Sequence, residues 1–122
     1  MYTMMQVCRE LDMTYQTLKF YCNEGLVPNV KRDHNNRRVF DEKDVKWIKD
    51  LTCLKKCGMS IQEMKKYLEL CLQGEATIVS RKKMLARKQE ELRASIKELE
   101  DSISYIGWKQ NFYDDVLSGK RP

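Results

Sequence analysis

The 122-residue sequence has no apolar run long enough to span a membrane, and Met1 leads directly into a predicted helix rather than a signal peptide. It has a single histidine, His34, and it specifies no glycine-rich phosphate loop, paired-carboxylate pocket or histidine-bearing nucleophile arrangement. These absences argue against a membrane protein and against an enzyme. They predict a cytoplasmic chain that needs no cofactor and no metal.

Cysteine is present in an odd number, and positive charge is only slightly in excess. Five cysteines in a reducing compartment are not expected to form a framework of structural disulfides. The formal net charge of +5 mildly favours a nucleic acid as partner, although many soluble proteins reach that value. Charged residues make up 34% of the chain, which predicts a small compact body with much exposed helix.

The stretch 14–26, TYQTLKFYCNEGL, predicts a short helix with an unusual exposed face. Thr14 can cap this helix, and Gly25 can end it because glycine readily adopts a positive φ. The inward stripe consists of Leu18, Tyr21 and Cys22. The other face carries Tyr15, Gln16, Thr17, Lys19 and Phe20. Hydroxyls, an amide, aromatic edges and a cation are the groups that contact the phosphates and base edges of DNA.

Another short helix is predicted just before this one. It spans residues 3–11 and opens with a capping box between Thr3 and Gln6, and the turn Asp12-Met13 follows it. A helix, a tight turn and a second helix with such a face are typical of a helix-turn-helix motif, whose partner is double-stranded DNA. An ordinary helical hairpin is the alternative that these residues leave open.

Residues 27–40, VPNVKRDHNNRRVF, predict a two-stranded hairpin, because proline and asparagine oppose a helix and residues 33–36 favour a turn. The predicted tip carries four cations opposed only by Asp33, namely Lys31, Arg32, Arg37 and Arg38. Beside a helix-turn-helix, a basic hairpin is typical of a wing that contacts the phosphate backbone. A solubilising loop is the alternative.

Two more helices complete the predicted DNA-binding domain, which covers residues 1–74. The third helix begins at residues 41–44, where acidic side chains favour a helix N-terminus, and ends at Gly58. The fourth opens with a capping box between Ser60 and Glu63, and it ends before Gly74.

From Ala76 onward an apolar residue recurs every seven positions, which predicts one long helix with an imperfect heptad seam. The seam residues expected at a dimer interface are Ile78, Leu85, Leu92, Ile96, Leu99, Ile103 and Ile106. Because one chain offers no second helix of this length, the seam predicts a homodimer with antiparallel pairing. Residues 75–117 would form this helix with an apolar C-terminal cap, and residues 118–122 a disordered tail.

The order of these parts resembles the MerR family of transcription regulators over the chain to about Phe112. The motifs that carry the resemblance are TLKFYCNEGL, NNRRVF and LKKCGMSIQEM, followed by the heptad helix. The resemblance implies a mainly α fold, with a winged helix-turn-helix DNA-binding domain followed by a long coiled-coil dimerisation helix. It also implies that the dimer bends and untwists an overlong promoter spacer, which realigns the promoter elements for RNA polymerase, an indirect partner.

The resemblance also assigns DNA contacts to individual residues. Lys19 and Phe20 replace the arginine and the first tyrosine of the family pattern Thr-Leu-Arg-Tyr-Tyr, and Phe40 replaces the tyrosine of the wing. These changes keep the charge and the rings but remove bidentate geometry and one hydroxyl. Lys55 matches a family position that contacts phosphate from outside the wing. The expected DNA-binding residues are Thr14, Tyr15, Gln16, Thr17, Lys19, Tyr21, Arg37, Arg38 and Lys55.

The cysteines predict a sensing site on the third helix. Residues 76–84 lack the cysteines of metal-sensing members, and the chain stops before the large ligand domain of multidrug-binding members. Cys53 matches the single cysteine of members that respond to reactive aldehydes, electrophiles and nitrosative stress. Lys49 and Lys56 favour its thiolate, whereas the nearby helix C-terminus opposes it. The alternatives are an inert thiol covered by the partner's long helix, and a pair with Cys57 that supplies two ligands of a metal.

A second class of function uses the same scaffold without DNA. It is an interaction protein or anti-regulator in which the helix-turn-helix and the coiled coil make only protein contacts. The cations at the wing and at Lys55 discriminate between the two classes, because a protein-interaction scaffold does not require positive charge at all these sites.

Overall fold

The computed structural model describes residues 1–120 and is mainly helical. Its elements in chain order are β1 (Tyr2–Thr3), α1 (Met4–Leu11), α2 (Tyr15–Asn23), β2 (Lys31–Arg32), β3 (Arg38–Phe40), α3 (Glu42–Lys56), α4 (Ile61–Leu72), a 3-10 turn (Glu75–Thr77) and α5 (Ile78–Leu117). The chain divides into two compact units, and the second begins at Leu85. None of the helices within residues 1–120 combines the length and the apolar character that a membrane crossing requires.

Three helices begin at capping boxes, in which side chains satisfy backbone N–H groups that have no partner inside the helix. The two predicted boxes are confirmed: Thr3 with Gln6 at α1 and Ser60 with Glu63 at α4. The third box was not anticipated and joins Asp41 with Asp44 at the start of α3. Loss of such a cap destabilises a protein by about 1 kcal/mol, so these residues fix where each helix starts.

The sheet has three strands in the order β1-β3-β2, all antiparallel. The sequence predicted only the hairpin of β2 and β3. The third strand is Tyr2–Thr3, in which Tyr2 pairs with Phe40 and Thr3 pairs with Val39. Two residues are too few to show the apolar alternation by which a strand is recognised. The consequence for the site is that β1 ties the wing to the start of α1.

The core of the first unit lies where α1, α2, α3 and α4 meet the sheet. The largest fully buried side chains are Phe40, Leu18, Leu26, Ile48, Leu51, Met59, Met64 and Val7. Full burial of a side chain of this kind stabilises the fold by about 1.5–3 kcal/mol. Trp47 is half-buried, and its Nε1–H donates to the carbonyl of Leu26 at 2.6 Å. This bond attaches α3 to the segment that follows α2.

The connection from α4 to α5 is held by side chain–backbone hydrogen bonds. The Thr77 hydroxyl is buried and donates to the carbonyls of Leu70 and Gly74. Arg81 donates from Nη2 to the Gly74 carbonyl at 2.8 Å and from Nε to the Thr77 hydroxyl at 3.1 Å. Gly74 has φ +85°, which a residue with a Cβ adopts only with strain. The end of α4 and the start of α5 are therefore fixed to each other.

α5 is 40 residues long and contains no buried residue. The predicted seam residues in it are exposed, from 37% for Leu85 to 70% for Ile103. Of the predicted disordered tail, residues 118–120 form a turn in which the Lys120 N–H donates to the Asp115 carbonyl at 2.9 Å. Arg121 and Pro122 lie outside the described residues.

Candidate nucleic-acid interface

The exposed face of α2 carries most of the polar groups expected of a reading helix. Gln16 and Lys19 are exposed, and the rings of Tyr15 and Phe20 are each 46% exposed. On the opposite side, Leu18 is fully buried and holds the helix against the core. The period of the helix thus separates a packing side from a side that is free to contact DNA.

The start of α2 is organised by two threonines. The Thr14 hydroxyl accepts the Thr17 backbone N–H at 3.1 Å and donates to the Thr17 hydroxyl at 2.8 Å. Only one of the free N–H groups of the first turn is satisfied in this way, and the positive end of the helix dipole lies beside it. This terminus therefore suits a phosphate, while Gln16 and Lys19 project further along the helix.

Tyr21 is not brought to this surface. It is 4% exposed and belongs to the hydrophobic core, and burial raises the pKa of its hydroxyl. The sequence placed Tyr21 both on the inward stripe and among the DNA-binding residues. The structure puts it on the inward stripe, where it supports α2 from behind.

A groove joins the reading helix to the wing. It has a volume of about 470 Å³. Its lining residues are Thr3, Met4, Met5, Tyr15, Arg32, Asp33, Asn36, Arg37 and Arg38. Two predicted sets, the face of α2 and the cations of the hairpin, thus line the same groove through Tyr15, Arg37 and Arg38. Met5 was not among the predicted residues; it lies outside the buried stripe of α1 and is 54% exposed.

Asp33 organises the tip of the wing. Its Oδ1 accepts the backbone N–H groups of Asn35 and Arg37, each at 2.9 Å, and these bonds hold the pKa of its carboxyl below the ordinary value. Asn36 takes φ +61°, and its carbonyl accepts Arg32 Nη1 at 2.9 Å. The turn is consequently built by hydrogen bonds within the hairpin, and the Arg37 side chain is exposed.

Arg38 is fixed by a residue at the end of α2. Its Nη2 donates to the side-chain oxygen of Asn23 at 2.7 Å. Asn23 was absent from the predicted set, because its partner lies fifteen positions away in the sequence, beyond the reach of a short-range pattern. The bond connects the wing to the helix-turn-helix and limits the positions that the Arg38 guanidinium can take.

Lys31 was predicted at the tip of the wing, but its ammonium contacts the start of α3 instead. Its ammonium lies 2.9 Å from Asp41 and 3.2 Å from Asp44, so two carboxylates of the α3 capping box neutralise it. The hydrogen bond from the Asp44 backbone, followed by that from Lys31, lowers the pKa of Asp41 to about 2. Lys31 therefore attaches the wing to α3. Of the four predicted tip cations, Arg32, Arg37 and Arg38 line the groove.

Lys19 and Lys55 lie outside the groove lining. Both are exposed, Lys19 on α2 and Lys55 in the last turn of α3. Their positions fit contacts with a polyanion that extends beyond the wing, because a phosphate contact requires only an accessible cation.

The thiols divide into exposed and shielded groups. Cys53 and Cys57 are exposed, Cys8 is buried, and Cys22 and Cys71 are intermediate. Burial raises the pKa of the Cys8 and Cys22 thiols, although Arg38 and Arg32 act in the opposite direction on Cys22. The exposure of Cys53 is what a reactive thiol on this helix requires. Within residues 1–120 no group of three or more His, Cys, Asp or Glu residues is arranged to hold a metal ion.

Two short helices joined by a turn, a basic wing and a groove shared by both define a winged helix-turn-helix DNA-binding protein. Residues 2–71 match the family model described as MerR HTH family regulatory protein, and residues 45–106 match that described as MerR, DNA binding. The chain belongs to the MerR family of transcriptional regulators, which are not enzymes.

Named relatives agree with this assignment. An uncharacterized HTH-type transcriptional regulator of Haemophilus influenzae is 34% identical over 92% of this chain and 83% of its own length. The HTH-type transcriptional regulator AdhR of Bacillus subtilis is 37% identical over 71% of this chain and 62% of its own. HiNmlR, a MerR family regulator lacking the sensor domain, was crystallised bound to promoter DNA. It is 32% identical with a TM-score of 0.76, over 96% of this chain and 93% of that one.

Proposed function

We propose that this DNA-binding regulator acts as a homodimer that binds an overlong promoter spacer, and bends and untwists it. The groove shared by α2 and the wing is the observation that carries the proposal. Its lining includes Tyr15 of α2 and three arginines of the wing, which supports base readout next to phosphate contacts. In one chain this surface covers a single half-site. A dimer supplies two such surfaces with a fixed separation, and a spacer that does not match this separation must deform to contact both.

The exposed seam of α5 supports the dimer. Seven apolar residues of the heptad pattern would remain in contact with water in a monomer, which is unfavourable by about 25 cal/mol for each Å² of apolar surface. A second copy of the same seam removes this surface from water without a further partner. Exposed aromatic residues at the end of the seam extend the apolar surface that the second copy would cover, namely Tyr105, Trp108 and Tyr113.

The charges along α5 favour antiparallel pairing. Residues 78–88 contain no acidic residue and five cations: Arg81, Lys82, Lys83, Arg87 and Lys88. Residues 89–117 contain three cations and seven acids: Glu90, Glu91, Glu98, Glu100, Asp101, Asp114 and Asp115. An antiparallel pair places the basic part of each helix beside the acidic part of its partner, whereas a parallel pair places like charges together.

Each predicted contact takes one role in this proposal. Arg37, Arg38, Lys19 and Lys55 contact phosphates, while Tyr15, Gln16 and Thr17 face base edges and Thr14 presents the α2 N-terminus. Tyr21 acts from the core by supporting α2. The role of RNA polymerase is indirect, since it responds to the altered geometry of the promoter and not to a contact with this chain.

The thiol of Cys53 is proposed as the site that receives an electrophilic signal. Cys53 is exposed on α3 together with Lys49 and Lys56, whereas Cys8 is buried. Promoter output with and without an aldehyde tests this in wild type, Cys53→Ser and Cys57→Ser. A full response of Cys53→Ser would exclude Cys53 as the sensor.

The dimer and the bend are tested together on operator fragments that the purified protein selects from genomic DNA. We expect two chains on each operator, and a bound fragment whose mobility depends on whether the site lies at its centre or its end. One chain per operator, or a straight complex, would contradict the proposal.

A further inference from the structure

The exposed pair Cys53 and Cys57 has a geometry that a single-thiol role does not use. Cys57 is the C-cap of α3, and its backbone N–H donates to the Cys53 carbonyl at 3.1 Å. Its dihedral angles, φ −74° and ψ −1°, lie close to those of a helix. The two cysteines are therefore one intact turn apart on the same side of α3, and both are exposed.

This separation excludes a disulfide but suits a longer bridge. Residues four apart on a helix have Cβ atoms about 5–6 Å apart, whereas a disulfide needs about 3.5–4.5 Å. One additional atom between the sulfurs lengthens the bridge without unwinding the turn. That atom must be one that binds two thiols strongly and does not require further protein ligands, because residues 1–120 offer no group of three or more metal-ligating side chains.

We propose that Cys53 and Cys57 form a dithiol site for trivalent arsenic that carries one carbon substituent. The substituent occupies the third valence of the arsenic, so two protein sulfurs complete it. In the reaction two S–H bonds break and two As–S bonds form, while the oxygen of R–As=O leaves with both protons as water. The arsenic remains trivalent, and the reaction consumes no oxidant and no reductant.

The charges near the pair at the end of α3 are of both signs. The negative end of the helix dipole lies beside Cys57 and opposes a negative charge there. Lys49 and Lys56 act in the opposite direction, and Asp50 adds a negative charge one turn before Cys53. The dithioarsenite product is neutral, so neither the dipole nor Asp50 destabilises it. The proposal extends the thiol-sensor role of α3 and requires no DNA binding.

The test titrates purified full-length protein with phenylarsine oxide in the absence of DNA, so failure of this site is distinguished from failure of the regulator. We expect one adduct per chain by mass spectrometry, the loss of two titratable thiols, and release by 2,3-dimercaptopropanol but not by millimolar glutathione. Two linked thiols gain about 10²–10⁴-fold over one, so Cys53→Ser and Cys57→Ser should each lose about 100-fold or more in retention. Cys71→Ser, which leaves the pair intact, should match wild type.

Three results would overturn the proposal. They are a glutathione-resistant adduct in either single serine variant, two reagent molecules on each chain, and a covalent dimer on a denaturing non-reducing gel. The last would show that the reagent bridges two chains. Circular dichroism of each variant checks that loss of retention does not result from unfolding.

Discussion

The Arg38 guanidinium and the Asn23 side-chain oxygen are joined by a 2.7 Å hydrogen bond between the wing and the last turn of α2. These residues are fifteen positions apart in the sequence, and they belong to the two parts of the molecule that we propose as the DNA-binding surface. The bond restricts a flexible cation before DNA arrives, so less conformational entropy is lost when that cation binds a phosphate.

Asn23→Ala should therefore weaken DNA binding without removing a phosphate contact. A hydrogen bond of this kind contributes about 0.5–1.5 kcal/mol, which corresponds to roughly a 2- to 13-fold loss of affinity. Titration over a range of salt concentrations gives the slope of log affinity against log salt concentration, and this slope should be unchanged for Asn23→Ala. The slope should fall by about one for Arg38→Ala, which removes the charge itself. Gln62→Ala, an exposed amide on α4, serves as the control, and equal slopes for all three variants would contradict the assigned roles.

The face of α2 predicts a division between base readout and phosphate contact. Gln16→Ala should reduce the binding free energy that discriminates bases at one operator position by about 1–3 kcal/mol. Affinity for sequences without the preferred base at that position should not change. Lys19→Ala should weaken binding to every sequence to a similar extent and reduce the salt slope. Selection of bound fragments from a randomised operator measures both effects. If Gln16→Ala keeps the full sequence preference of wild type, Gln16 does not contact a base edge.

Leu92→Asp should dissociate the proposed dimer, because Leu92 lies at the centre of the seam and a carboxylate there would be desolvated or repelled by its counterpart. Ala94 is exposed and faces away from the seam, so Ala94→Asp is a matched control for the effect of aspartate on the helix. Sedimentation at micromolar concentration should show a monomer for Leu92→Asp and a dimer for Ala94→Asp and wild type. A stable wild-type monomer would refute the seam assignment.

The link between the wing and α3 should make stability depend on acid pH. Asp41 has a folded pKa of about 2, below its ordinary value of 3.8, so its contribution is present above about pH 4 and is lost as the pH falls towards 2. Asp41→Asn keeps a capping oxygen but removes the charge, so its unfolding midpoint should vary less with pH over this window. Denaturant unfolding monitored by circular dichroism at several pH values makes the comparison. Parallel curves for wild type and Asp41→Asn would show that the charge of Asp41, which the Asp44 backbone N–H and Lys31 hold, does not stabilise the fold.

The sequence predicted the local features well because they are encoded within a few residues. Ser60 and Glu63 are three positions apart, and their reciprocal bonds are those of the predicted capping box. Other features depend on residues that are distant in the sequence. Lys31 is neutralised by Asp41 and Asp44, ten and thirteen positions away, and no short-range pattern distinguishes it from the three arginines of the wing.

Two further differences between the sequence predictions and the structure have physical causes. The strand Tyr2–Thr3 forms because β3 offers it an edge, and this pairing leaves no periodic trace in two residues. Tyr21 was predicted both on the inward stripe of α2 and among the DNA-binding residues. Its 4% exposure shows that it lies on the inward stripe. Predictions for the seam of α5 and for Cys53 concern a second copy of the chain and a reactive ligand, so they depend on the experiments above.

Transcription from promoters that differ only in spacer length tests the central proposal most directly. One template keeps the overlong spacer of the selected operator, and the other has a spacer shortened to the length at which RNA polymerase needs no regulator. In a purified system we expect the activated protein to increase transcription from the first template and not from the second, because bending and untwisting correct only a mismatched spacer. Equal stimulation of both templates would contradict the mechanism.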